Sequence, residues 1–125
     1  MHDLLHTFFE QSVRRWPDAV AVDVPPGRDR PARQTMTYAE LGRHSDAVAR
    51  LLHPLVTAES IVAIMAGRDS PCAYAAQLAV LKAGAAYACV DPAFPDEQLR
   101  DILSDSGAVA LCWCWSGAFA GFTRC

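Results

Sequence analysis

The sequence predicts an α/β fold, in which a parallel βαβαβ unit follows an N-terminal helix and a short hairpin. Three apolar segments, at residues 60–66, 86–90 and 108–113, have the composition of strands, and the first is continuously apolar, as expected of a strand covered on both faces. A segment with helical signals separates each strand from the next, and parallel neighbours require such a crossover. The order strand, helix, strand, helix, strand therefore indicates a parallel sheet with right-handed connections.

The residues before this unit predict a helix and a hairpin. Between Asp3 and Trp16 the apolar residues recur at helical spacing, and Asp3 is placed to cap the helix start. The predicted apolar face consists of Leu5, Phe8, Phe9, Val13 and Trp16. Residues 19–24 and 34–37 have strand composition, and a loop rich in Pro, Gly and Arg over 25–33 joins them. We therefore expect two antiparallel strands with a long, solvated connection.

A capping box predicts the start of the second helix. In the stretch Thr37-Tyr38-Ala39-Glu40, the Thr37 hydroxyl is placed to accept from the Glu40 N–H. The Glu40 side chain is in turn placed to accept from the Thr37 N–H. The helix should end near Pro54, which cannot continue it. Its predicted buried face consists of Leu41, Val48, Leu52 and Leu55.

Two further helices are predicted inside the parallel unit. The first has Ser70 as N-cap with Pro71 at the first helical position, and it ends near Gly84. Only Gln77 and Lys82 are strongly polar between these limits, so this helix should be buried nearly all round. The second helix, at residues 95–107, is amphipathic, with acidic residues in its first turn and an apolar face at Leu99, Ile102 and Leu103.

Composition excludes several classes of protein. The chain has 125 residues, 52% of them apolar and 20% charged, which is typical of one globular domain. A net charge of −3 and scattered arginines disfavour a nucleic-acid partner. No apolar run approaches a membrane span, and MHDLLHTFFE does not resemble a secretory signal. Together with an odd number of cysteines, these features predict a cytoplasmic chain without a disulfide framework.

None of the residue types that could carry chemistry forms a convincing site. Three cysteines lie near the end of the chain without a nearby histidine or carboxylate, whereas zinc needs four ligands. We predict that Cys112, Cys114 and Cys125 are buried or incidental thiols. The four histidines (His2, His6, His44 and His53) are not paired by spacing with another ligand type, so we expect surface or hydrogen-bonded positions for them.

The remaining candidates also have structural explanations. Lys82 near the end of its helix suits the negative end of the helix dipole. Asp91 before Pro92 is typical of a turn, and Tyr87 and Phe94 are predicted to lie in the core. The stretch SGAFAGFT at residues 116–123 has the glycines of a phosphate loop but lacks its lysine, so we interpret it as an apolar tail.

Three stretches resemble the N-terminal part of an amino-acid adenylation domain, of the kind found in nonribosomal peptide synthetases. LLHTFFEQSVRRWPDAVAV resembles the opening helix and strand of that family, and MTYAELGRHSDAVARLL resembles its first core motif. LKAGAAYACVDPAFPDEQLRDILSDSGA resembles its second core motif, although Ala88 and Cys89 stand where the family usually has Val-Pro. The resemblance covers roughly residues 4–111, so we divide the chain into a partial adenylation domain at 1–111 and a divergent tail at 112–125.

The resemblance implies an ATP-dependent carboxylate-activating chemistry that this chain does not complete. Members of the family use ATP and Mg²⁺ to make an acyl adenylate, which is then passed to a carrier thiol. In the family, the phosphate loop, the adenine pocket, the metal-binding carboxylate and the catalytic lysine all follow the region matched here. We therefore assign no catalytic, cofactor-binding or metal-binding residue to this chain.

Three interpretations remain open at this point. The first is an N-terminal piece of an adenylation domain that is not catalytic alone, with residues 112–125 as an out-of-frame ending. The second is a non-catalytic interaction module that docks through its sheet edges on a separately encoded part of a synthetase. The third is an independent nucleotide binder, which the lack of a G-x-G-x-x-G or Walker loop disfavours. Uncovered sheet edges also predict self-association.

Overall fold

The structure, a computed structural model, describes residues 4–27, 32–67, 70–115 and 118–124, and beyond residue 113 it describes the backbone alone. The elements in chain order are α1 (Leu5–Arg15), β1 (Val20–Val24), β2 (Gln34–Thr37), α2 (Tyr38–Leu52), a 3₁₀ turn (His53–Leu55), β3 (Ile61–Met65), α3 (Pro71–Lys82), β4 (Ala86–Val90), α4 (Asp96–Ser106), β5 (Ala110–Trp115) and β6 (Ala118–Arg124).

The main sheet has four strands in the order β4-β3-β5-β6. Strand β3 pairs in parallel with β4 on one side and with β5 on the other, which confirms the predicted parallel βαβαβ unit. Strand β6 pairs antiparallel with β5, and the sequence interpretation did not predict it. The mixture of Gly, Ala and Phe in residues 118–124 shows no clear alternation of apolar and polar residues, so its periodicity did not indicate a strand.

Helices cover both faces of the sheet. On one face, α2 and α3 pack against Val62, Ile64, Ala110 and Cys112 of the two central strands. On the other face, the apolar side of α4, with Leu99, Ile102 and Leu103, packs against Ala63 and Val90 as predicted. Because β3 contributes alternate residues to both clusters, its continuously apolar sequence follows from burial on two faces.

The hairpin of β1 and β2 forms a separate two-stranded antiparallel sheet, as predicted. Val22 and Val24 turn inward and pack in one cluster with Leu41 of α2 and Ala75 of α3. On the outer side, the Arg33 guanidinium forms an exposed salt bridge with Asp23 at 2.7 Å. The hairpin is thus attached to the helices that cover the main sheet. Part of the predicted 25–33 loop, residues 28–31, lies outside the described residues.

Helix α1 differs most from its prediction. It begins at Leu5 with Leu4 in the N-cap position, and Asp3 lies outside the described residues. The predicted buried face was wrong for three side chains, because Leu5, Phe8 and Trp16 are 70%, 55% and 54% exposed. Only Phe9 and Val13 of that face turn towards the rest of the chain, where Phe9 packs on the hairpin cluster and Val13 lies above Gly42.

Helix α2 begins directly after Thr37 and ends before Pro54, as predicted. The Glu40 N–H donates to the Thr37 hydroxyl at 3.1 Å, which is half of the capping box. In place of the predicted bond from the Thr37 N–H, the Thr37 hydroxyl donates to the Glu40 carboxylate at 3.2 Å. The helix buries Leu41, Val48 and Leu52, and it also buries Ser45, which the apolar pattern did not include. Leu55 is half-buried in the 3₁₀ turn.

Helix α3 has Pro71 in its first turn and is buried nearly all round, as predicted, except at Tyr74. Ser70 occupies the N-cap position, but its hydroxyl makes no capping bond and lies buried without a partner among the described residues. The helix ends at Lys82, and Gly84 then adopts a φ of 87°, a conformation that side chains with a Cβ rarely adopt. Residues 68 and 69, which precede α3, lie outside the described part.

Candidate functional site

A cleft lies between α1, the hairpin, α2 and α3, and reaches Tyr87 of β4. We call it the α1 cleft, and its volume is about 440 Å³. Its walls are mainly apolar and aromatic, and the rings of Phe9 and Tyr38 contact each other with centroids 6.1 Å apart. Among the described residues, the one charged side chain in its lining is Asp23, whose carboxylate is paired with Arg33. The described lining residues include no cation that could bind a nucleotide phosphate.

A second cleft, of about 340 Å³, lies at the carboxyl ends of β3 and β4. Doubly wound proteins often bind ligands outside the carboxyl ends of their strands. Here the polar lining consists of Tyr74, Gln77, Cys89 and Asp91, with Gly67 at the end of β3. The Gln77 amide donates to the Cys89 sulfur at 3.4 Å. The described lining residues again include no cation that could bind a phosphate.

Asp91 serves the local turn, as predicted. Its carboxylate accepts from the Ala93 N–H at 2.9 Å, which is the hydrogen bond of an Asx turn. The prediction that Tyr87 and Phe94 lie in the core was wrong, because each is 38% exposed. Tyr87 is on a strand with one neighbour in the described part of the sheet, so the covering helix leaves it open. Of the five β4 residues, Val90 alone is buried.

Lys82 is the centre of a polar cluster that joins three helices. Its ammonium group lies 2.8 Å from the Ser45 hydroxyl, 2.7 Å from the Asp46 carboxylate and 3.0 Å from the Glu10 carboxylate. It also lies 5.3 Å from the centre of the Phe9 ring, and the side chain is only 8% exposed. The contacts with Ser45 and Asp46 are hydrogen bonds, and the contact with Glu10 is an ion pair. The predicted position at the negative end of α3 is correct, but the contacts to α1 and α2 could not be read from local sequence.

The described cysteines do not form a metal site. Burial raises the pKa of the Cys112 thiol to about 11, so it stays protonated near neutral pH and is a poor nucleophile or zinc ligand. Cys89 is an exposed free thiol. Cys72 is disulfide-bonded, which the sequence interpretation did not anticipate. The side chains of Cys114 and Cys125 lie outside the described part of the chain.

The metal that the resemblance implies has no fitting ligands in the described residues. Among them, no group of three or more His, Cys, Asp and Glu side chains is arranged to hold an ion. His44 and His53 are exposed and His6 is half-buried, while His2 is not among the described residues. The stretch 116–123, considered above as a phosphate loop, includes two undescribed residues, and its remaining backbone is part of β6. Across the ranges that the structure describes, no helix is long and apolar enough to cross a membrane.

The sheet with helices on both faces and the attached hairpin define an α/β protein. The family described as "AMP-binding enzyme" matches residues 9–117, so the chain belongs to that family. This finding confirms the resemblance drawn from the three sequence stretches.

The similar curated proteins are nonribosomal peptide synthetases and related synthases. Malpinin synthetase from Mortierella alpina is 42% identical over 108 residues, which are 86% of this chain and 1% of that protein. Bacitracin synthase 3 from Bacillus licheniformis is 39% identical over 108 residues, again 86% of this chain and 2% of the relative. The chain therefore spans only a small share of the length of these relatives.

Solved adenylation enzymes have the same fold. The Klebsiella oxytoca NpsA N-terminal subdomain is 29% identical and superposes with a TM-score of 0.72, over 96% of this chain and 30% of that one. FmoA3, a nonribosomal peptide synthetase, is 30% identical with a TM-score of 0.74, over 86% of this chain and 11% of that one. The chain thus corresponds to a small N-terminal portion of an adenylation domain.

Proposed function

We propose that this chain supplies the N-terminal scaffold of an ATP- and Mg²⁺-dependent, amino-acid-activating adenylation domain and does not catalyse the reaction alone. The observation that carries the proposal is the match to the NpsA N-terminal subdomain, which uses nearly the whole of this chain but 30% of the other. That subdomain has been solved in complex with 3-hydroxyanthranilyl-AMSN, and this chain covers 27% of the subdomain in that complex. Ligand binding would therefore need a longer unit, which would act in the cytoplasm, where ATP is available.

The chemistry of the described residues supports a scaffold role for this chain, with ligand binding in the remainder of the domain. Among the described residues, no cation lines the α1 cleft or the cleft at the carboxyl ends of β3 and β4, whereas phosphoryl and adenylyl transfer need cations at the phosphates. The Lys82 ammonium group is engaged by Ser45 and Asp46 through hydrogen bonds and by Glu10 through an ion pair. Substrate binding and charge stabilisation would then come from the remainder of the domain.

The free edge of β4 is a suitable surface for that remainder. The Ala86 N–H donates to the Ser60 carbonyl at 3.0 Å, so the backbone groups of Ala86 point towards β3. Because these directions alternate along a strand, the N–H and C=O groups of Tyr87 and Cys89 point away from β3. The strand has no charge, proline or bulge, which are the features that usually protect a sheet edge. We expect an extended segment of the domain remainder to pair there.

The same edge favours a second candidate function. A non-catalytic interaction module would use β4 to dock on a separately encoded part of a synthetase. In either case the chain alone should self-associate, because a second copy can pair with the same edge.

Two measurements test the proposal. Titration calorimetry of ATP and of AMP into the chain alone should give no heat of binding, and saturable binding would instead support an independent nucleotide binder. The chain is then mixed with the remainder of an adenylation domain from a relative such as bacitracin synthase 3. Amino-acid-dependent pyrophosphate exchange on mixing supports the scaffold. A stable complex without exchange supports the interaction module, and no complex contradicts both.

The docking edge has its own test in the variant Cys89→Lys. A lysine at this exposed position places a charge on the free edge, so the weight-average mass of the chain in sedimentation equilibrium should fall towards that of a monomer. Leu51→Lys is the matched control, because it adds the same charge at an exposed position of α2 away from the edge. If both variants lower the mass equally, general solubility explains the result and the edge does not.

A further inference from the structure

Helix α1 forms a wall of the α1 cleft although none of its residues is buried. Its apolar anchors are Phe9, which packs on the hairpin cluster, and Val13, whose methyl groups lie above Gly42. Its other large apolar side chains, Leu5 and Phe8, are mostly exposed, although Leu5 also lines the cleft. Since apolar stabilisation scales with the area removed from water, this helix is held much less firmly than the sheet core.

The strongest specific attachment of α1 is polar and runs through Lys82. The Lys82 ammonium group contacts the Glu10 carboxylate at 3.0 Å and lies over the Phe9 ring. On its other side it is fixed by Asp46 and Ser45 of α2, and the Ser45 hydroxyl donates to the Gly42 carbonyl at 3.0 Å. Contacts between α2 and α3 therefore fix the position of the ammonium group independently of α1. Charge-assisted contacts of this kind depend on geometry and can be broken in one step.

A natural hinge lies directly after α1. The Ala39 N–H donates to the Pro17 carbonyl at 2.9 Å, and the Tyr38 N–H donates to the Ala19 carbonyl at 3.0 Å. The chain is thus fastened to the start of α2 from Pro17 onward. Trp16, the residue between this anchor and the helix, has a non-helical backbone with φ −135° and ψ 59°. Rotation at Trp16 would move α1 without disturbing the hairpin.

We propose that α1 is a releasable strap across the α1 cleft and that Lys82 is the positioning residue that holds it closed. Release uncovers the apolar wall formed by Val22, Val24 and Leu41, which are buried when α1 is in place. The strap opens as a local unit, at a lower free energy than unfolding of the sheet. This inference concerns the chain itself and does not depend on the proposed function.

Hydrogen exchange resolved by peptide tests the strap. In the wild-type chain, amides of α1 should exchange faster than amides of β3. Lys82→Met should raise the α1 exchange rate by roughly tenfold, the size expected for lost charge-assisted contacts, with a smaller change in β3. Arg43→Met is the matched control, because it removes an exposed cation from α2 and should leave α1 unchanged. Equal exchange of α1 and β3 in the wild type, or an equal rise in both for Lys82→Met, would overturn the proposal.

A second variant covers the case in which Lys82→Met fails to fold. Glu10→Gln removes the negative charge that pairs with Lys82 on the partly exposed surface of α1 and keeps the shape of the side chain. It should accelerate exchange in α1 and tryptic cleavage after Arg14 and Arg15, which are exposed residues in the last turn of the helix. Unchanged exchange and cleavage in Glu10→Gln would contradict the role of Lys82, because the strap would then be held by apolar contacts alone.

Discussion

Helix α1 and strand β3 are both rich in apolar residues, yet they contribute to the fold in opposite ways. The central residues of β3, Val62, Ala63 and Ile64, are essentially inaccessible to solvent and face helices on both sides of the sheet. In α1 no residue is buried, and its position depends on Phe9, Val13 and the Lys82 cluster. Apolar content therefore predicts burial in this chain only where the topology places a second layer over the element.

The largest difference between the two elements should appear when one side chain of each is truncated. Ile64→Ala removes a side chain that is 1% exposed and leaves a cavity, so it should lower the free energy of unfolding by roughly 2–5 kcal/mol. Phe8→Ala, at an exposed site of α1, should cost about 0.5 kcal/mol or less. Urea denaturation followed by circular dichroism measures both. Similar costs would show that α1 belongs to the core.

The pH dependence of the free energy of unfolding should reveal a contribution from a buried side chain of the sheet core, Cys112. Burial raises the pKa of Cys112 from 9.0 to about 11, so the folded state disfavours the thiolate relative to the unfolded state. The contribution of Cys112 is complete below pH 9 and is lost as the pH rises through about 11, and roughly 1–3 kcal/mol is expected. Cys112→Ala should lose less stability over this window than the wild type, as measured by denaturation at several pH values. Parallel curves for the two proteins would contradict the assignment.

Substitutions of two glycines beside the parallel sheet distinguish the cost of an unfavourable backbone conformation from the cost of a steric clash. Gly84 connects α3 to β4 with a φ of 87°, and nothing lies within 4 Å of an added Cβ. Gly84→Ala should therefore cost roughly 1–2 kcal/mol through backbone conformation alone. Gly67→Ala is the matched control, because its surroundings are equally open and its φ is not positive. A thermal melt that shows the same shift for both variants would mean that the Gly84 conformation adapts.

The parallel βαβαβ unit was predicted correctly because the sequence signals for its strands and helix ends are local. The apolar strands, Pro71 at the start of α3 and Gly84 after its end each report a conformation within a few residues. The Lys82 cluster could not be predicted in this way. Its partners Ser45 and Asp46 lie 37 and 36 positions away, and neither belongs to an apolar or turn pattern that would reveal the pairing.

The exposure of β4 was missed for a related reason. The sequence AYACV has the composition of a strand covered on both faces, and it forms one parallel ladder with β3. Composition does not state which strand lies at an edge, because strand order depends on how the crossovers pack. The same limit applies to α1, whose apolar spacing predicted a helix correctly but not the layer that would cover it.

The smallest expected effects compare the caps of α2 and α3. Thr37→Ala removes the hydroxyl that accepts from the Glu40 N–H, so it should destabilise the chain by about 1 kcal/mol, while Thr37→Ser should be nearly neutral. Ser70→Ala should be neutral or stabilising by about 1 kcal/mol, because the Ser70 hydroxyl is buried without a described partner. Chemical denaturation of the three variants measures the difference. A cost for Ser70→Ala equal to that of Thr37→Ala would mean that the Ser70 hydroxyl has a stabilising partner in the folded chain. In that case, the residue type at the N-cap position would predict the stabilisation as well as an observed capping hydrogen bond does.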